Sequence, residues 1–522
     1  MNRTLARRSG PQHRKVFRGQ IADIRSAPSP VGGWNARDSI DDGMAGDEAV
    51  NLVNWFPGQG DCSLRGGFTS HATGLGGSVE TVGEFNAGST RKMFAAANNN
   101  IWDTTSAGAG TSLKSGFTSN RWQWAQFDDA TGGARVGLVN GADAPQNYNG
   151  TTVSAMSISG SGLTPATLDG INIFKNRSYF WASTTQDFWY SATNALGGAL
   201  TKFPLGRVAG TGGNLISMGT WSRDGGDGPD DLAAFILSSG DVVVYAGDNP
   251  GDAAAWGLVG VYKIGAPMGI RACQKVGGDL IIATRNGYVP MSKVLMSREA
   301  KQDEALSDKI RKAVLAATRS YSANFGWQVL LYPSANMAIF NVPVSATGFE
   351  QHVVNTLTGA WCKFQGMNAH AWGLYNSLLY FGGSGVVYKA DNGRSDAGVA
   401  ITASGQTAWN YLGSRKTHKR FVAMRALIET DGALTFAAGL GVDFGPIQLQ
   451  QTESSVAGNS SPWDTSPWDT SPWSDESTVN DNWQSAEGIG YNVSARVDVV
   501  TSTRSAKWYS TQYQFEPGRG GF

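Results

Sequence analysis

Short apolar runs separated by polar or glycine-containing turns recur between about residues 80 and 393. Each copy has four to seven apolar residues, a short turn and a second apolar run, which is the pattern of a β-hairpin. Successive copies start 41 to 58 residues apart, close to the roughly 40–50 residues of one propeller blade. The seven copies occupy residues 92–102, 134–148, 178–190, 233–245, 279–289, 337–354 and 378–388. They predict an all-β fold, a β-propeller of six or seven blades over residues 81–393, with unrelated hairpins in sandwiches as the alternative.

One segment, residues 297–320, interrupts the β pattern. It is charged, lacks Gly and Pro, and places Leu306, Ile310 and Val314 four residues apart on one helical face. Ser297 and Ser307 are candidate N-caps, so the pattern predicts one helix or two short helices that meet near Leu306. Such an insertion between blades either contacts a partner or packs over its own blade.

A second region, residues 394–522, follows the last hairpin. Alternating apolar and polar positions predict strands at 421–429, 434–438, 494–501 and 507–515. We expect a C-terminal β-sandwich or platform here. Residues 31–80 lead into the propeller and are expected to pack on the β core.

A proline–tryptophan repeat, SPWDTSPWDTSPW, occupies residues 461–473. Proline cannot donate a ladder hydrogen bond, so the repeat predicts a loop of successive turns. Trp463, Trp468 and Trp473 recur every five residues. Exposed indoles indicate contact with a subunit, a receptor or a glycan, and the alternative is that they fold back onto their own sheet.

The N-terminal residues 1–30 are strongly basic. They contain the candidate contact residues Arg7, Arg8, Arg14, Lys15 and Arg18, and their only acid is Asp23. The pattern is typical of an arm that binds nucleic acid or docks on a neighbouring subunit, and of a solvated tail. Docking on a neighbour is the favoured interpretation.

The whole chain, in contrast, has balanced charge. Lys and Arg number 42, Asp and Glu number 42, and only 16% of the residues are charged, which excludes a generally basic nucleic-acid binder. The three cysteines, Cys62, Cys273 and Cys362, are widely spaced and indicate neither a disulfide framework nor a metal site, so we expect a reducing folding environment. The N-terminus lacks the apolar stretch of a signal peptide, and no run is long enough to span a membrane. We expect a soluble protein.

Catalytic motifs are missing from the sequence. It contains no HExxH, GxxxxGK or GxSxG, and its five histidines are scattered. We therefore predict no enzymatic activity, no cofactor and no metal. The acidic loop at residues 224–231 offers carboxylates to Ca²⁺ but lacks EF-hand spacing, and a solvated turn is favoured. The same loop matches a sialidase Asp box only at Ser222, Asp224 and Gly226.

Seven further segments, none of them catalytic, follow one another along the chain. They are PVGGWNARDSIDDGMAGDEAVNLVNWFPGQGDCSLRGG (30–67), ALSDKIRKAV (305–314), FNVP (340–343), NTLTGAWCKF (355–364), LYFGGSGVVYKADNG (379–393), AWNYLGSRKTHKRFVAMRALIETDG (408–432) and WYSTQYQFEPGRGGF (508–522). In their order and number, these segments resemble the tail nozzle, or tail tubular, proteins of short-tailed bacteriophages.

The resemblance implies a virion protein, assembled in the host cytoplasm as a homo-oligomeric ring, with six subunits expected. Its partners would be the tail adaptor, other tail proteins such as fibres or spikes, the double-stranded DNA that leaves through the ring and, indirectly, the host cell surface. The ring would form the distal conduit and gate for DNA ejection. The alternatives are a virion propeller that binds a receptor or glycan through the three repeat tryptophans, and a glycosidase with a convergent carboxylate pair.

Overall fold

The computed structural model describes residues 22–41, 43–224, 229–297, 305–453 and 478–518, and most of these lie in β-strands or the turns between them. The chain begins in one module, builds a second, and then returns to the first. The opening strands, which belong to the first module, are β1 (Asp23–Pro28), β2 (Gly33–Trp34), β3 (Glu48–Val53), β4 (Trp55–Pro57) and β5 (Cys62–Leu64).

The second module consists of seven small sheets, or blades. The first strand of the module, β6 (Phe68–Thr73), belongs to blade 7; blade 1 contains β7 (Thr81–Ala87), β8 (Thr90–Ala97), β9 (Asn100–Asp103) and β11 (Thr111–Ser115), with the short β10 (Gly108–Ala109) beside β6; and blade 2 contains β12 (Gln123–Asp129), β13 (Gly133–Val139), β14 (Gln146–Tyr148) and β15 (Val153–Ala155). Blade 3 contains β17 (Gly170–Phe174), β18 (Arg177–Trp181), β19 (Asp187–Tyr190) and β20 (Gly198–Pro204), with β16 (Ile158–Gly160) beside β20; and blade 4 contains β21 (Leu215–Asp224), β22 (Pro229–Leu237), β23 (Asp241–Gly247) and β24 (Trp256–Lys263). Blade 5 contains β25 (Cys273–Val276), β26 (Asp279–Thr284) and β27 (Gly287–Pro290); blade 6 contains β28 (Gln328–Tyr332), β29 (Met337–Pro343), β30 (Phe349–Asn355) and β31 (Trp361–Gln365); and blade 7 contains β32 (Ala371–Tyr375), β33 (Leu378–Gly382) and β34 (Val387–Ala390).

The seven blades close into a ring. The first strand of each blade contacts the first strand of the next, in the order β7, β12, β17, β21, β25, β28 and β32, and β32 contacts β7. The N-terminal strand β6 pairs antiparallel with β34 and so completes the last blade with a strand from the start of the chain. The module is a seven-bladed β-propeller, and each predicted hairpin forms the second and third strands of one blade. The predicted fold class is confirmed.

The first module is completed by the C-terminal part of the chain and is called the platform here. The C-terminal strands are β35 (Ser395–Asp396), β36 (Val399–Thr407), β37 (Lys419–Thr430), β38 (Thr435–Val442), β39 (Gln450–Glu453), β40 (Thr478–Asn480), β41 (Gln484–Gly490), β42 (Val493–Thr501) and β43 (Ala506–Pro517). The first platform sheet contains β1, β4, β5, β37, β40, β41 and β43, and the second contains β3, β36, β38, β39 and β42. The two sheets pack face to face, since a Cβ on Gly405 in the second would lie 2.9 Å from the Trp508 ring in the first.

Within the predicted helical insertion, residues 297–320, the described residues form one α-helix, α2 (Arg311–Tyr321), preceded by a 3₁₀ turn at Asp308–Ile310. A further helix, α1 (Met291–Ser297), ends where the insertion was predicted to begin. Further 3₁₀ turns are Pro165–Thr167, Leu205–Arg207 and Pro333–Ala335. Ile310 and Val314 are buried, as their spacing predicts. The N-cap prediction was wrong at both serines. Ser297 ends α1, and the Ser307 hydroxyl accepts the N–H of Tyr288 instead of capping its own turn.

A single buried cluster runs from blades 5 and 6 of the propeller into the platform. It includes Tyr288 and Phe340, whose rings stack at 3.9 Å, and Trp508 and Phe421 of the first platform sheet. Because the core is continuous across the boundary, the two modules form a rigid unit. No helix in the described part of the chain is long and apolar enough to cross a membrane.

Candidate functional site

All eight candidate contact residues lie outside the part of the chain that the structure describes. They are Arg7, Arg8, Arg14, Lys15, Arg18, Trp463, Trp468 and Trp473. Their proposed contacts therefore stay predictions. The described residues instead contain two prominent polar sites, a charged joint between the modules and a crossing of the propeller axis.

The first part of the joint brings together two segments about 270 residues apart in the sequence. Arg37 donates to the carboxylates of Asp38 and Asp308, and Lys309 lies 2.5 Å from the buried carboxylate of Glu48. The hydrogen bond from Arg37 holds the pKa of Asp38 well below its usual value. The charges are arranged in opposite-sign pairs, so they tie the 3₁₀ turn before α2 to the platform segment.

A tryptophan of blade 6 fits against the same platform segment. Trp361 donates its indole N–H to the Leu306 carbonyl at 3.3 Å. Gly33 lies against the backbone of Trp361, and a Cβ on Gly33 would lie 2.5 Å from the backbone nitrogen of Trp361. Gly33 also has a φ of +83°, which favours glycine. The close approach explains why a glycine directly precedes Trp34.

The second part of the joint is a fully hydrogen-bonded arginine. The Arg65 side chain is 1% exposed and forms a bidentate ion pair with Asp396 at 2.6 and 2.8 Å. Its other three N–H groups donate to Asn54 Oδ1, the Gly66 carbonyl and the Gln365 carbonyl. All five donors are satisfied, so Arg65 joins β31 of the propeller, β35 and the platform at one buried point.

The propeller axis is crossed by another arginine. Arg271, just before β25 of blade 5, donates to the carbonyls of Glu80 and Trp122 at 2.9 Å and to the Thr81 hydroxyl at 3.2 Å. Those acceptors lie at the start of blades 1 and 2, on the opposite side of the ring. Burial lowers the pKa of Arg271 to about 10, so the guanidinium remains charged at neutral pH.

An aromatic ring covers this crossing. Phe325 lies 5.5 Å from the Arg271 guanidinium and 4.1 Å from that of Arg121, which pairs with Glu80 at 3.1 Å. Both distances are within cation–π range. Arg271 and Gln123 thus separate an outer cavity that contains Phe325 from an inner axial cavity. Arg271 therefore spans the propeller between the two cavities.

The inner axial cavity, of about 470 Å³, is lined by all seven inner strands. Its charged lining residues are Glu84, Arg271 and Lys275, so it contains a single carboxylate. Burial raises the pKa of Glu84. Trp124 and Trp181 contribute aromatic surface, while the Asn172 amide is already bonded to the Met218 carbonyl. The cavity offers no second carboxylate for general acid–base chemistry.

The acidic loop is described at Asp224 and at residues 229–231. Asp231 accepts a hydrogen bond from the Ser222 hydroxyl at 2.5 Å and lies 3.6 Å from Lys275. The bond from Ser222 lowers the pKa of Asp231. Among the described residues, no three His, Cys, Asp or Glu side chains gather as ligands of one ion.

The sequence did not predict that Arg65, Arg271 and Phe325 belong to these sites. Arg65 lies in the Arg-Gly-Gly of the segment at residues 30–67, where two glycines beside a lone arginine indicate a close backbone approach. Arg271 and Phe325 have no such signal, because their partners are brought near only when the ring of blades closes.

The described fold is similar to several solved structures at low identity. The extracellular domain of a one component system from B. thetaiotaomicron is 10% identical, with 79% of this chain and 59% of that chain covered and a TM-score of 0.40. YCF48 bound to D1 peptide is 9% identical, with 62% and 94% covered and a TM-score of 0.38. BBS1N in complex with ARL6DN is 8% identical, with 64% and 99% covered and a TM-score of 0.38. Protein-family models and curated sequences give no match. Likenesses this remote carry no argument about function.

Proposed function

We propose that this protein is a non-enzymatic structural subunit of a short bacteriophage tail, assembled as a ring that forms the distal conduit for DNA. The proposal rests on the following observation. The segments of the nozzle-family resemblance are far apart in the sequence, yet several of them meet at the charged joint between propeller and platform.

The contacts among those segments are specific. The segment at residues 30–67 supplies Arg37, Glu48 and Arg65, and the segment at 305–314 supplies Asp308 and Lys309. Trp361 comes from the segment at 355–364. Such residues depend on one another, because loss of either partner leaves a charge or donor unpaired. Their joint occurrence supports a shared architecture in which the propeller is fixed on the platform, as a conduit under the pressure of DNA ejection requires.

In this proposal the DNA path lies in the assembly and not in a single propeller. Arg271 spans the propeller from blade 5 to blades 1 and 2, so the proposed duplex passes through the opening of the ring of subunits. The zero net charge of the chain fits a sliding contact, since every neutralised phosphate adds salt-dependent affinity and therefore drag. Gating would then be a movement between subunits, with two packings close in free energy.

The assembly proposal is tested by the purified protein and by tail particles that lack it. We expect a ring in solution or on those particles, and restored DNA ejection when the protein is added. A protein that stays monomeric and ignores the particles would overturn the proposal. Glu84→Gln is a useful control, because a conduit subunit keeps its function without the single axial carboxylate, whereas an axial acid–base enzyme does not.

A second candidate, a receptor- or glycan-binding propeller, is favoured by one observation. The inner axial cavity combines three tryptophans, Trp124, Trp181 and Trp372, with amides and a carboxylate, a lining that suits a sugar. Glycan-array binding by the wild type that is lost in Trp124→Ala would support this function. Assembly and ejection in that variant distinguish the two candidates.

A further inference from the structure

The first platform sheet has two open edges on opposite sides. Strand β1 pairs with β43 alone and strand β41 pairs with β37 alone, among the described strands. Across the sheet the order is β1, β43, β37, β41. Each edge exposes an isoleucine, Ile24 at 53% and Ile489 at 63%. Natural sheets usually protect such edges with charges or proline, and β1 does carry Asp23, Arg25 and Pro28. An exposed isoleucine on each of the two open edges nevertheless indicates a partner.

The directions of the two edge strands are complementary. β1 is antiparallel to β43, β43 is antiparallel to β37, and β37 is antiparallel to β41. β1 and β41 of one chain therefore run in opposite directions. Rotation about a ring axis parallel to the strands preserves those directions, so β1 of one copy would meet β41 of the next as an antiparallel pair.

The alternation of backbone hydrogen bonds along β1 and β41 also allows these two edges to pair. Ser29 donates its N–H to the Tyr509 carbonyl, so alternate residues of β1 face β43 and the backbone groups of Ile24 and Ser26 point to the open edge. On the other side, Gly518 donates to the His418 carbonyl. By the same alternation Lys419 and Phe421 bond to β41 at Gly490 and Gly488, which leaves the backbone of Ile489 pointing outward.

The two faces of the sheet select the register. Ala27 is buried opposite Thr511, so Ile24 and Ser26 lie on the solvent face of β1. Gln484 and Ala486 are buried, so Glu487 and Ile489 lie on the solvent face of β41. Only one register pairs the whole of β1 with β41 while the outward-pointing backbone groups lie opposite each other and the solvent-facing side chains lie on the same face of the sheet.

We infer that the platforms of neighbouring copies join edge to edge, with β1 of one subunit paired to β41 of the next in the register Ile24 opposite Ile489. This deepens the proposed function and rests on it. In this register Ser26 lies opposite Glu487, while Asp23 and Arg25 lie opposite Gly490 and Gly488. No two charges are opposed, and the first platform sheet continues from subunit to subunit around the ring.

A cysteine pair tests the register. Within one chain the two edges are three strand spacings apart, about 14 Å, too far for a disulfide. The double variant Ile24→Cys/Ile489→Cys should therefore link only between copies and give, after mild oxidation, a ladder of covalent multimers that ends at the ring's subunit number. The matched control Ile24→Cys/Ser485→Cys places the second thiol four residues away and should give no ladder.

Assembly of charge variants provides the second measurement. Ile489→Lys should abolish rings while the monomer keeps the circular dichroism of the wild type. Leu357→Lys changes an equally exposed residue (65%) on the propeller and should assemble normally. Rings without the 24–489 ladder, or equal ladders from both cysteine pairs, would overturn the register alone. Absence of any ring, in solution and on tail particles, would overturn the proposed function itself.

Discussion

The buried pair at the joint gives a quantitative prediction for Asp396→Ala. In the wild type, Asp396 supplies two of the five acceptors of Arg65, and it supplies the only negative charge bonded to that side chain. The substitution leaves a 1% exposed guanidinium with three neutral acceptors. Breaking a buried pair in this way costs about 3–5 kcal/mol of unfolding free energy.

The assay is urea unfolding followed by tryptophan fluorescence, since Trp361, Trp508 and Trp55 are buried near the joint. The matched control is Arg420→Ala, which breaks the more exposed pair with Glu516 on the platform surface. We expect the control to cost less than about 1 kcal/mol.

A double variant separates charge burial from packing. Arg65→Met/Asp396→Leu removes both charges, so it should cost clearly less than the sum of the two single changes. Asp396→Ala with a cost as small as that of Arg420→Ala would refute the reasoning, because it would mean that the joint does not depend on compensation of the buried charge.

Three further predictions concern single residues. Burial lowers the pKa of His352 from 6.5 to about 3, so the unfolded chain takes up the proton first as the pH falls. The free energy of unfolding should therefore drop between these pH values by up to about 1.4 kcal/mol per pH unit. In His352→Gln the dependence of the unfolding free energy on pH should be shallower. Arg271→Met removes the arginine donor from four acceptors, and a lower urea midpoint should show a loss of about 1–3 kcal/mol. Gly33→Ala should lower the thermal midpoint more than Gly74→Ala, since both have positive φ but only Gly33 lies against Trp361.

Local patterns predicted the propeller because each blade contains its own short-range signal. All seven hairpins have apolar runs separated by a turn, and β18 with β19 or β33 with β34 can be located from sequence spacing alone. The platform strands near residues 419–430 and 506–517 were predicted for the same reason, through their alternation.

The N-terminal strands of the platform and the polar sites depend on contacts that local patterns do not encode. Strands β1, β3 and β5 are short, and they pair with strands of the C-terminal part of the chain, so nothing in their own sequence places them in the platform. The same holds for Arg271, whose acceptors on blades 1 and 2 are about 150 to 190 residues away. Ser307 was misassigned as an N-cap because a tertiary partner, the N–H of Tyr288, takes its hydroxyl.

The most direct test of the central claim is electron microscopy of the protein, purified and mixed with tail particles that lack it. We expect closed rings, free or on the particles, in which platforms join edge to edge and the opening lies between subunits. Monomers that leave the particles unchanged would contradict it.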